Sequence, residues 1–470
     1  MTPTSLSNSE PRAQPLAFLQ PAGAWVPIAS FVFLTIVMLF TGAGGAKVLT
    51  YFFPAVAMLI SLWLYQRYPV MHISFVWWLC FLSPLVRRVA DFRTGGFTDP
   101  NPILLAPFLA TLVISQGLIR HLPRSHRLGT MPFVLAIAGV VYGYLVGVAT
   151  QGFTAATVGL LVWLCPILLG YQLFVNWQNF PAYRQNLLTT FAWGALVSGA
   201  YGVYQYIVAP EWEQIWLIGS GMTSSAGSPE PYGIRVWSTM NSPGPFAIVM
   251  MASMLLLFAH RGKVLVPAAV FGTLSFLLCL VRAAWIGWVL GLVNISAVMT
   301  TRLKLRLLAT LLALSVCAIP AVTMEPFAGV IGKRLDTLAN VQEDGSVRER
   351  SRLYEKKMEP ALLSFIGVGL GGPKYDSALF VFLFQLGWVG TLPYLAGMGM
   401  ILLTVFRSPL MSQDMFAAAA RAIALSVSVT LVAGAGMIEL AGMVLWGFLG
   451  ISLAAHRYYL HQKNSITRSP

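Results

Sequence analysis

Positively charged side chains that can bind an anion are concentrated in one long polar segment, residues 325–376, of an otherwise apolar chain. Within this segment Ser346 and Glu349 have the spacing of a capping box, which predicts a helix that begins at Ser346. Arg348 and Arg352 then lie one turn apart on one face of this helix. Two arginines so placed can hold a diphosphate through paired N–H donors. The same spacing is equally typical of a solvated amphipathic helix whose cations pair with neighbouring glutamates.

Two further arginines stand at the borders of apolar runs. Arg235 lies in a loop rich in Gly, Ser and Pro that leads into an apolar run beginning at Gly244, where Asn241 and Ser242 are placed to cap the new helix. An arginine beside a helix N-terminus is a suitable diphosphate site, although its side chain can instead extend to lipid head groups. Arg282 lies inside the apolar stretch 271–293, where a charge is costly unless it is paired or faces a polar cavity. We therefore interpret both arginines as candidates for ligand binding and catalysis.

A glycine-rich turn at residues 367–372 returns the chain to the next apolar run. No Gly-Lys-Ser or Gly-Lys-Thr follows, so the turn is not a phosphate-binding P-loop. It brings Asp376 to the start of that run, where the carboxylate is a candidate general base or, alternatively, a helix cap. Lys374 and Tyr375, which precede it, and Arg88, in an earlier polar segment, are candidate substrate contacts.

The composition identifies the elements that must position these side chains. Of 470 residues, 57% are hydrophobic and 10% are charged, whereas about a quarter of the residues in a soluble domain are charged. Apolar runs of about twenty residues recur without the alternation of a transmembrane barrel, so we predict an all-α polytopic membrane protein. The predicted spans, about fourteen in number, cover residues 24–40, 47–65, 73–86, 102–118, 131–149, 154–174, 187–208, 244–259, 264–280, 283–298, 307–322, 377–405, 416–438 and 441–455.

The basic residues set the predicted orientation. With a cytoplasmic N-terminus every inner loop carries arginine or lysine, which explains much of the net charge of +14 without a nucleic-acid partner. The predicted parts are a flexible cytoplasmic tail at 1–22, one helical membrane domain at 23–459 and a cytoplasmic tail at 460–470. Three outer loops are predicted, near residues 87–101, 209–243 and 324–376. These loops also contain arginines, and an anionic ligand would explain positive charge on that side of the membrane.

Several chemistries lack the residues they require. The sequence has no Asp-x-Asp pair for a metal-held nucleotide sugar, no His-Glu-x-x-His zinc site and no Gly-x-Ser-x-Gly nucleophile. The four cysteines lie in apolar runs without metal-ligand spacing, so we expect neither a disulfide framework nor a metal centre. We therefore predict that the protein uses no metal and no cofactor.

The order of the polar elements resembles the O-antigen ligase and polymerase superfamily of bacterial envelope glycosyltransferases. The similarity covers residues 233–390, and the elements keep their order before the last few spans. The elements are Arg-x-x-Ser-Thr-x-Asn-x-Pro at 235–243, Arg-Ala-Ala at 282–284, the Ser/Arg helix near Arg348, Gly-Val-Gly at 367–369 and Gly-Trp-Val-Gly at 387–390.

The resemblance implies a multi-span protein of the bacterial inner membrane, similar to the GT-C-like class of polyprenyl-phosphate-dependent glycosyltransferases. It implies that arginines hold a polyprenyl-diphosphate-linked oligosaccharide at the periplasmic face and that sugar is transferred without nucleotide or obligatory metal. Membrane lipid and other polysaccharide assembly and export proteins are the further partners it implies. Which of Arg348 and Arg352 matches the family arginine stays open.

The residues after the glycine turn bear on the reaction type. Ligases of this family carry His-Asn there, whereas Asp376-Ser377 stands here. This departure favours a polymerase of exopolysaccharide or O-antigen units over a ligase. The other alternative, a flippase for lipid-linked oligosaccharide, predicts polar residues near the midplane of several helices and an internal repeat. The charges gather at one face and no repeat is present, which favours an enzyme.

Overall fold

The computed structural model describes residues 22–297, 345–412, 414–431 and 436–466, with Gly434 and scattered positions between 299 and 312. Within these residues the regular structure is helical, apart from an isolated bridge between Gly227 and Ile234. The predicted all-α class is confirmed to this extent. Residues 1–21 of the predicted tail, most of the span predicted at 307–322 and the first part of the third outer loop lie outside the described residues.

The helices follow one another with short connections. In chain order they are α1 (Ala22–Phe40), α2 (Ala43–Arg67), α3 (Pro69–Thr94), α4 (Ala106–Leu112), α5 (Ser115–His121), α6 (Ser125–Leu128), α7 (Met131–Thr150), α8 (Phe153–Val175), α9 (Phe180–Val208), α10 (Glu211–Gly219), α11 (Thr223–Ala226), α12 (Pro243–Leu257), α13 (Leu265–Leu278), α14 (Arg282–Ser296), α15 (Gly345–Leu362), α16 (Ala378–Val381), α17 (Gly387–Arg407), α18 (Met415–Thr430) and α19 (Glu439–Ile466). Short 3-10 turns adjoin several of them, and a π-helical turn, Phe382–Leu386, joins α16 to α17.

Eight helical segments of the described chain are long and apolar enough to cross a membrane, which makes this a multi-pass membrane protein. Each of the eight coincides with a predicted span. They are Gly23–Phe40, Ala43–Arg67, Pro69–Thr94, Pro102–Leu128, Met131–Thr150, Phe153–Val175, Ala378–Arg407 and Glu439–Ser465. Three apolar helices, α12, α13 and α18, are shorter than a full span. The total of about fourteen spans therefore stays a prediction.

Residues that border several of the predicted inner loops meet at one end of the bundle. At one end Arg457 donates to the carbonyl of Leu128 over 2.6 Å, and Arg184 lies 3.4 Å from the carboxylate of Asp414. All of these residues border predicted inner loops. At the other end, Leu370 of the glycine-rich turn donates its backbone N–H to a carbonyl near the outer end of α7. Which side of the membrane each end faces stays a prediction.

The glycine-rich segment is packed between membrane helices. The backbone N–H of Leu370 donates to the carbonyl of Gly143 over 2.9 Å, and the Leu370 side chain is fully buried. A Cβ on Gly147 would lie 2.4 Å from the Leu370 carbonyl oxygen, and one on Gly159 would lie 2.7 Å from the nitrogen of Gly371. The glycines of α7 and α8 therefore form the groove that admits this segment.

The segment itself requires glycine. Gly367, Gly369 and Gly371 have φ angles of +81°, +81° and +88°, in the left-handed region that side chains disfavour. The carbonyl of Val368 accepts hydrogen bonds from the side chains of Thr150 and Gln151 at the end of α7. Non-helical backbone is tolerated beside membrane helices when protein groups satisfy it in this way. The predicted turn is thus a fixed structural element that sets the position of the residues following it.

We predict that Gly369→Ala lowers the stability of the fold. A Cβ at this position would lie 2.1 Å from the nitrogen of Gly147, and the φ angle is positive. Left-handed backbone costs a non-glycine residue about 1–2 kcal/mol, and overpacking adds about 1–3 kcal/mol. Thermal unfolding followed by size-exclusion chromatography in detergent measures the effect. The matched control is Gly399→Ala in α17, where nothing lies within 4 Å of a new Cβ. An equal loss in both variants would contradict the prediction.

Candidate functional site

The two predicted arginines of the central region are brought together. Arg235 lies on the loop between α11 and α12, where its guanidinium donates to the carbonyl of Ser225 over 2.5 Å. It also donates to the carbonyl of Leu280 over 3.2 Å, two residues before Arg282. The backbone N–H of Val236 donates to the carbonyl of Leu278 over 3.2 Å. This second hydrogen bond holds the Arg235 loop against the end of α13.

Arg282 occupies a sharp turn between two apolar helices. It is the first residue of α14 and is partly buried. Leu280, in the three-residue connection from α13, has a φ of +55°, an unfavourable angle for a branched side chain. The turn therefore places a guanidinium at a helix N-terminus, where partial positive charge from the backbone adds to it. Its predicted role in ligand binding stays a prediction.

Arg88, predicted to contact substrate, lies in the protein interior. Its side chain is fully buried and donates to the carbonyls of Met240 over 2.6 Å and Ser238 over 2.5 Å. Its Nε lies 2.8 Å from a carboxylate oxygen of Glu213, which is also fully buried. This geometry makes Arg88 a residue that positions the 235–243 loop. A direct contact with substrate stays a prediction.

A polar network completes the support of this loop. Glu213 accepts hydrogen bonds from the Tyr201 hydroxyl over 2.5 Å and from the Trp237 indole over 2.9 Å. The side-chain oxygen of Gln205 accepts from the backbone N–H groups of Trp237 and Ser238, over 3.1 Å and 2.8 Å. Sequence reasoning missed Glu213 and Gln205. The available signal was the pair of acids, Glu211 and Glu213, within the tryptophan-rich helix α10.

Neighbouring charges on α3 are paired in the same manner. Arg87 Nε lies 2.9 Å from Asp91 Oδ2, one helical turn away, and both side chains are almost fully buried. The Asp91 carboxylate also accepts from the amide of Asn101 over 3.1 Å. Two arginines predicted to mark an outer loop are thus both neutralised inside the protein.

One of the two residues predicted to cap α12 occupies the N-cap position. The N-cap residue of α12 is Ser242, with a φ of −162°, so Asn241 precedes the cap. Its side-chain oxygen is buried and, within the described part of the chain, has no hydrogen-bond partner. Buried polar atoms are almost always hydrogen-bonded, so an unpaired acceptor in the loop that carries Arg235 is a candidate contact for a ligand hydroxyl.

The predicted helix of the third outer loop is present. It begins at Gly345, one residue before the predicted start, and continues through Pro360 to Leu362. Arg352 is exposed, and Arg348 lies one turn before it; the Arg348 side chain lies outside the described residues. The opposite face of α15 is attached to the bundle. There the Tyr354 hydroxyl lies 2.9 Å from Ser377 Oγ, and its ring lies 4.7 Å from that of Phe380.

Asp376 lies between this attachment and the last two helices. It is exposed, and a Cβ on Gly434 would lie 3.7 Å from its Oδ1 atom. The N-cap residue of α16 is Ser377, so Asp376 precedes the cap position. The alternative role of Asp376 as the capping residue therefore loses support, and its role as a base at the outer face stays a prediction.

The two residues before Asp376 have structural contacts. Lys374 Nζ lies 2.5 Å from a carboxylate oxygen of Glu439, the first residue of α19, and both side chains are exposed. Tyr375 is half-buried, with its ring 5.1 Å from that of Phe384. Their predicted contacts with substrate stay predictions.

A cavity of about 590 Å³ adjoins the glycine-rich segment. Its lining includes Gln151 and Thr154 at the turn between α7 and α8, Gly371, Lys374 and Gln385. Gln385 donates to two carbonyls of the segment and accepts from the Trp163 indole over 2.9 Å, so its amide is fixed. Pockets for small ligands have this size and a similar mixture of apolar walls and few polar groups.

The arginine pair and Asp376 are connected through one helix. α14, which begins at Arg282, packs against α18, where the Ser426 hydroxyl donates to the Gly287 carbonyl over 2.6 Å. α18 ends at Thr430, four residues before Gly434, which faces Asp376. Both groups of candidate residues therefore lie around the outer end of α18.

We predict that Glu213→Gln destabilises the fold strongly, because it leaves the buried Arg88 without a counter-charge. Breaking a buried pair by removing one partner costs about 3–5 kcal/mol. The unfolding temperature in detergent measures this loss. Glu211→Gln, at an exposed position in the same helix, is the control and should change stability by less than about 1 kcal/mol. An unchanged unfolding temperature for Glu213→Gln would refute the assigned role of the pair.

A scan against protein-family profiles and a search of curated proteins both returned no match for this chain.

Proposed function

We propose that this protein is a glycosyltransferase that polymerises polyprenyl-diphosphate-linked oligosaccharide units into an exopolysaccharide or O-antigen chain. The observation that carries the proposal is the hydrogen bond from Arg235 to the turn before α14, the helix that begins at Arg282. Guanidinium groups beside a helix N-terminus form a site suited to a diphosphate. Nucleotide and metal have no part in the proposed reaction.

The proposed chemistry is one displacement at an anomeric carbon. Asp376 accepts the proton of an acceptor hydroxyl, and the hydroxyl oxygen forms a bond to the anomeric carbon of the donor sugar. The bond from that carbon to the diphosphate oxygen breaks, and polyprenyl diphosphate leaves with the bonding electrons. Arg235 and Arg282 stabilise the negative charge that grows on the leaving oxygen, which accelerates the reaction when this contact is stronger than in the ground state.

The other candidate residues are assigned to the glycan. The unpaired buried oxygen of Asn241 is an acceptor for a sugar hydroxyl near the diphosphate. The cavity beside Lys374 has polar groups from Gln151, Thr154 and Gln385, which suits the sugars of the acceptor chain. Arg348 and Arg352 on α15 are the further cations available to the diphosphate.

The proposed setting is the bacterial inner membrane, with both termini in the cytoplasm and the active site at the periplasmic face. The basic residues of the inner loops support this orientation. The assignment to the GT-C-like class rests on the motif resemblance. Asp376-Ser377 in place of the ligase His-Asn pair supports polymerisation over transfer to a different acceptor.

The test is elongation of a polyprenyl-diphosphate oligosaccharide by the purified protein in lipid vesicles, read as a ladder of products. Arg235→Lys and Arg282→Lys keep the charge but lose the two-pronged donor, and we expect product to fall by about tenfold or more. Arg261→Lys, at an exposed inner loop, is the control and should leave the yield unchanged. Inside-out vesicles should elongate added donor only after permeabilisation.

Other outcomes would contradict the polymerase. A single transfer to an added non-identical acceptor would indicate a ligase. Movement of donor across the bilayer without a new glycosidic bond would indicate a transporter. Full activity in both lysine variants would remove the arginines from the diphosphate site.

We predict that Asp376→Asn lowers elongation by about 10²–10⁴-fold, because an amide cannot act as the base. The side chain is exposed, so the variant should unfold at the wild-type temperature. Asp414→Asn, at the opposite end of the bundle, is the control and should elongate normally. Near wild-type elongation by Asp376→Asn would show that another group accepts the proton.

A further inference from the structure

A second cavity, of about 300 Å³, lies at the end of the bundle opposite to Asp376. Its walls come from the end of α6, the last residues of α8 and the second half of α19. The lining includes His126, Arg127, Phe174, His456 and Arg457. Two guanidinium and two imidazole groups thus converge on one space, and no carboxylate is among the described lining residues. The two guanidinium groups carry like charges that repel each other, so an anion in the cavity would stabilise them.

Arg457 is held in a fixed orientation. Its guanidinium lies over the rings of Phe174 and Trp177, 5.5 Å and 5.3 Å from their centroids. One of its N–H groups donates to the carbonyl of Leu128 over 2.6 Å. A guanidinium carries five N–H donors, so this described bond leaves donors for a ligand. Stacked in this way, the side chain loses little conformational entropy when it binds.

The other basic groups are arranged around the same opening. The ring of His456 is fixed by a 2.7 Å hydrogen bond between Nδ1 and the hydroxyl of Ser408. Its second nitrogen is therefore available on the other side of the ring. Arg127 is exposed at the rim, one residue before the carbonyl that holds Arg457. The cavity thus has one partly buried, oriented cation and one exposed cation at its rim.

The apolar part of the lining identifies the source of the anion. Leu453 and Leu460 of α19 border the basic groups, and Leu460 is 41% exposed. Both α8 and α19 are apolar helices long enough to cross a membrane, so the cavity opens where such helices end. A ligand that combines a phosphate with acyl chains matches both surfaces. Basic pockets between membrane helices bind anionic lipid head groups for this reason.

We propose that this cavity binds the phosphodiester head group of an anionic phospholipid from the leaflet at the Arg457 end. The phosphate lies between Arg457 and Arg127, and the acyl chains lie along Leu453 and Leu460. The inference is independent of the proposed activity, which uses residues at the opposite end.

Native mass spectrometry of the purified full-length protein tests the site. The protein is titrated with phosphatidylglycerol, with phosphatidylcholine of the same acyl chains, and with inorganic phosphate. We expect several-fold higher retention of phosphatidylglycerol than of phosphatidylcholine. Arg127→Gln and Arg457→Gln should each reduce that retention by about fivefold, the factor expected for one cation near a lipid phosphate.

Arg67→Gln is the matched control, because Arg67 is an exposed cation at the same end, in the last turn of α2, and does not line the cavity. Its retention of phosphatidylglycerol should equal that of the wild type. Equal retention of the two lipids, or an equal loss in Arg67→Gln, would overturn the proposal. Displacement of the lipid by equimolar inorganic phosphate would show a site for small anions and would also overturn it. If Arg457→Gln unfolds early, the exposed Arg127→Gln alone decides the result.

Discussion

The buried ion pair between Arg88 and Glu213 is the interaction on which the candidate site depends. Removing two such charges from water costs several kcal/mol each, and their attraction offsets this only when the remaining donors and acceptors are also satisfied. Here Arg88 donates to two carbonyls, and Glu213 accepts from a tyrosine and a tryptophan. The groups come from α3, α9, α10 and the loop before α12. The requirement to satisfy one pair of charges thus ties four distant segments into one geometry and fixes the loop that carries Arg235.

The other half of the site follows the glycine-rich segment, and steric fit positions it instead of buried charge. The glycine-rich segment lies in a groove lined by Gly143, Gly147 and Gly159, where larger side chains would leave no room for it. Close backbone contact brings hydrogen-bond partners to a non-helical segment beside membrane helices. Lys374, Tyr375 and Asp376 follow directly, so their positions are set by this contact. The two halves of the site lie around the outer end of α18. Buried charges position the half with Arg235, and steric fit positions the half with Asp376.

Much of this architecture follows from the sequence because membrane spans and basic loops are local signals. Eight apolar runs and the helix around Arg352 are where their patterns predict them. The partners of Arg88 could not be predicted in this way, since the guanidinium pairs with residues more than 120 positions away. An outer arginine looks the same in the sequence whether it faces a ligand or a buried carboxylate. Of the two residues predicted to cap α12, Ser242 takes the N-cap position, and the side-chain oxygen of Asn241 is buried without a partner among the described residues.

The pairing of charges on α3 also determines how the protein responds to the membrane potential. A single charge that moves across the field changes its energy by about 2.3 kcal/mol for each 100 mV. Arg88 with Glu213, and Arg87 with Asp91, each sum to zero net charge and are held together by contacts of 2.8 Å and 2.9 Å. A uniform field exerts no net force on such neutral pairs. The ion pairs that hold the Arg235 loop therefore add no net charge on which the membrane potential can act.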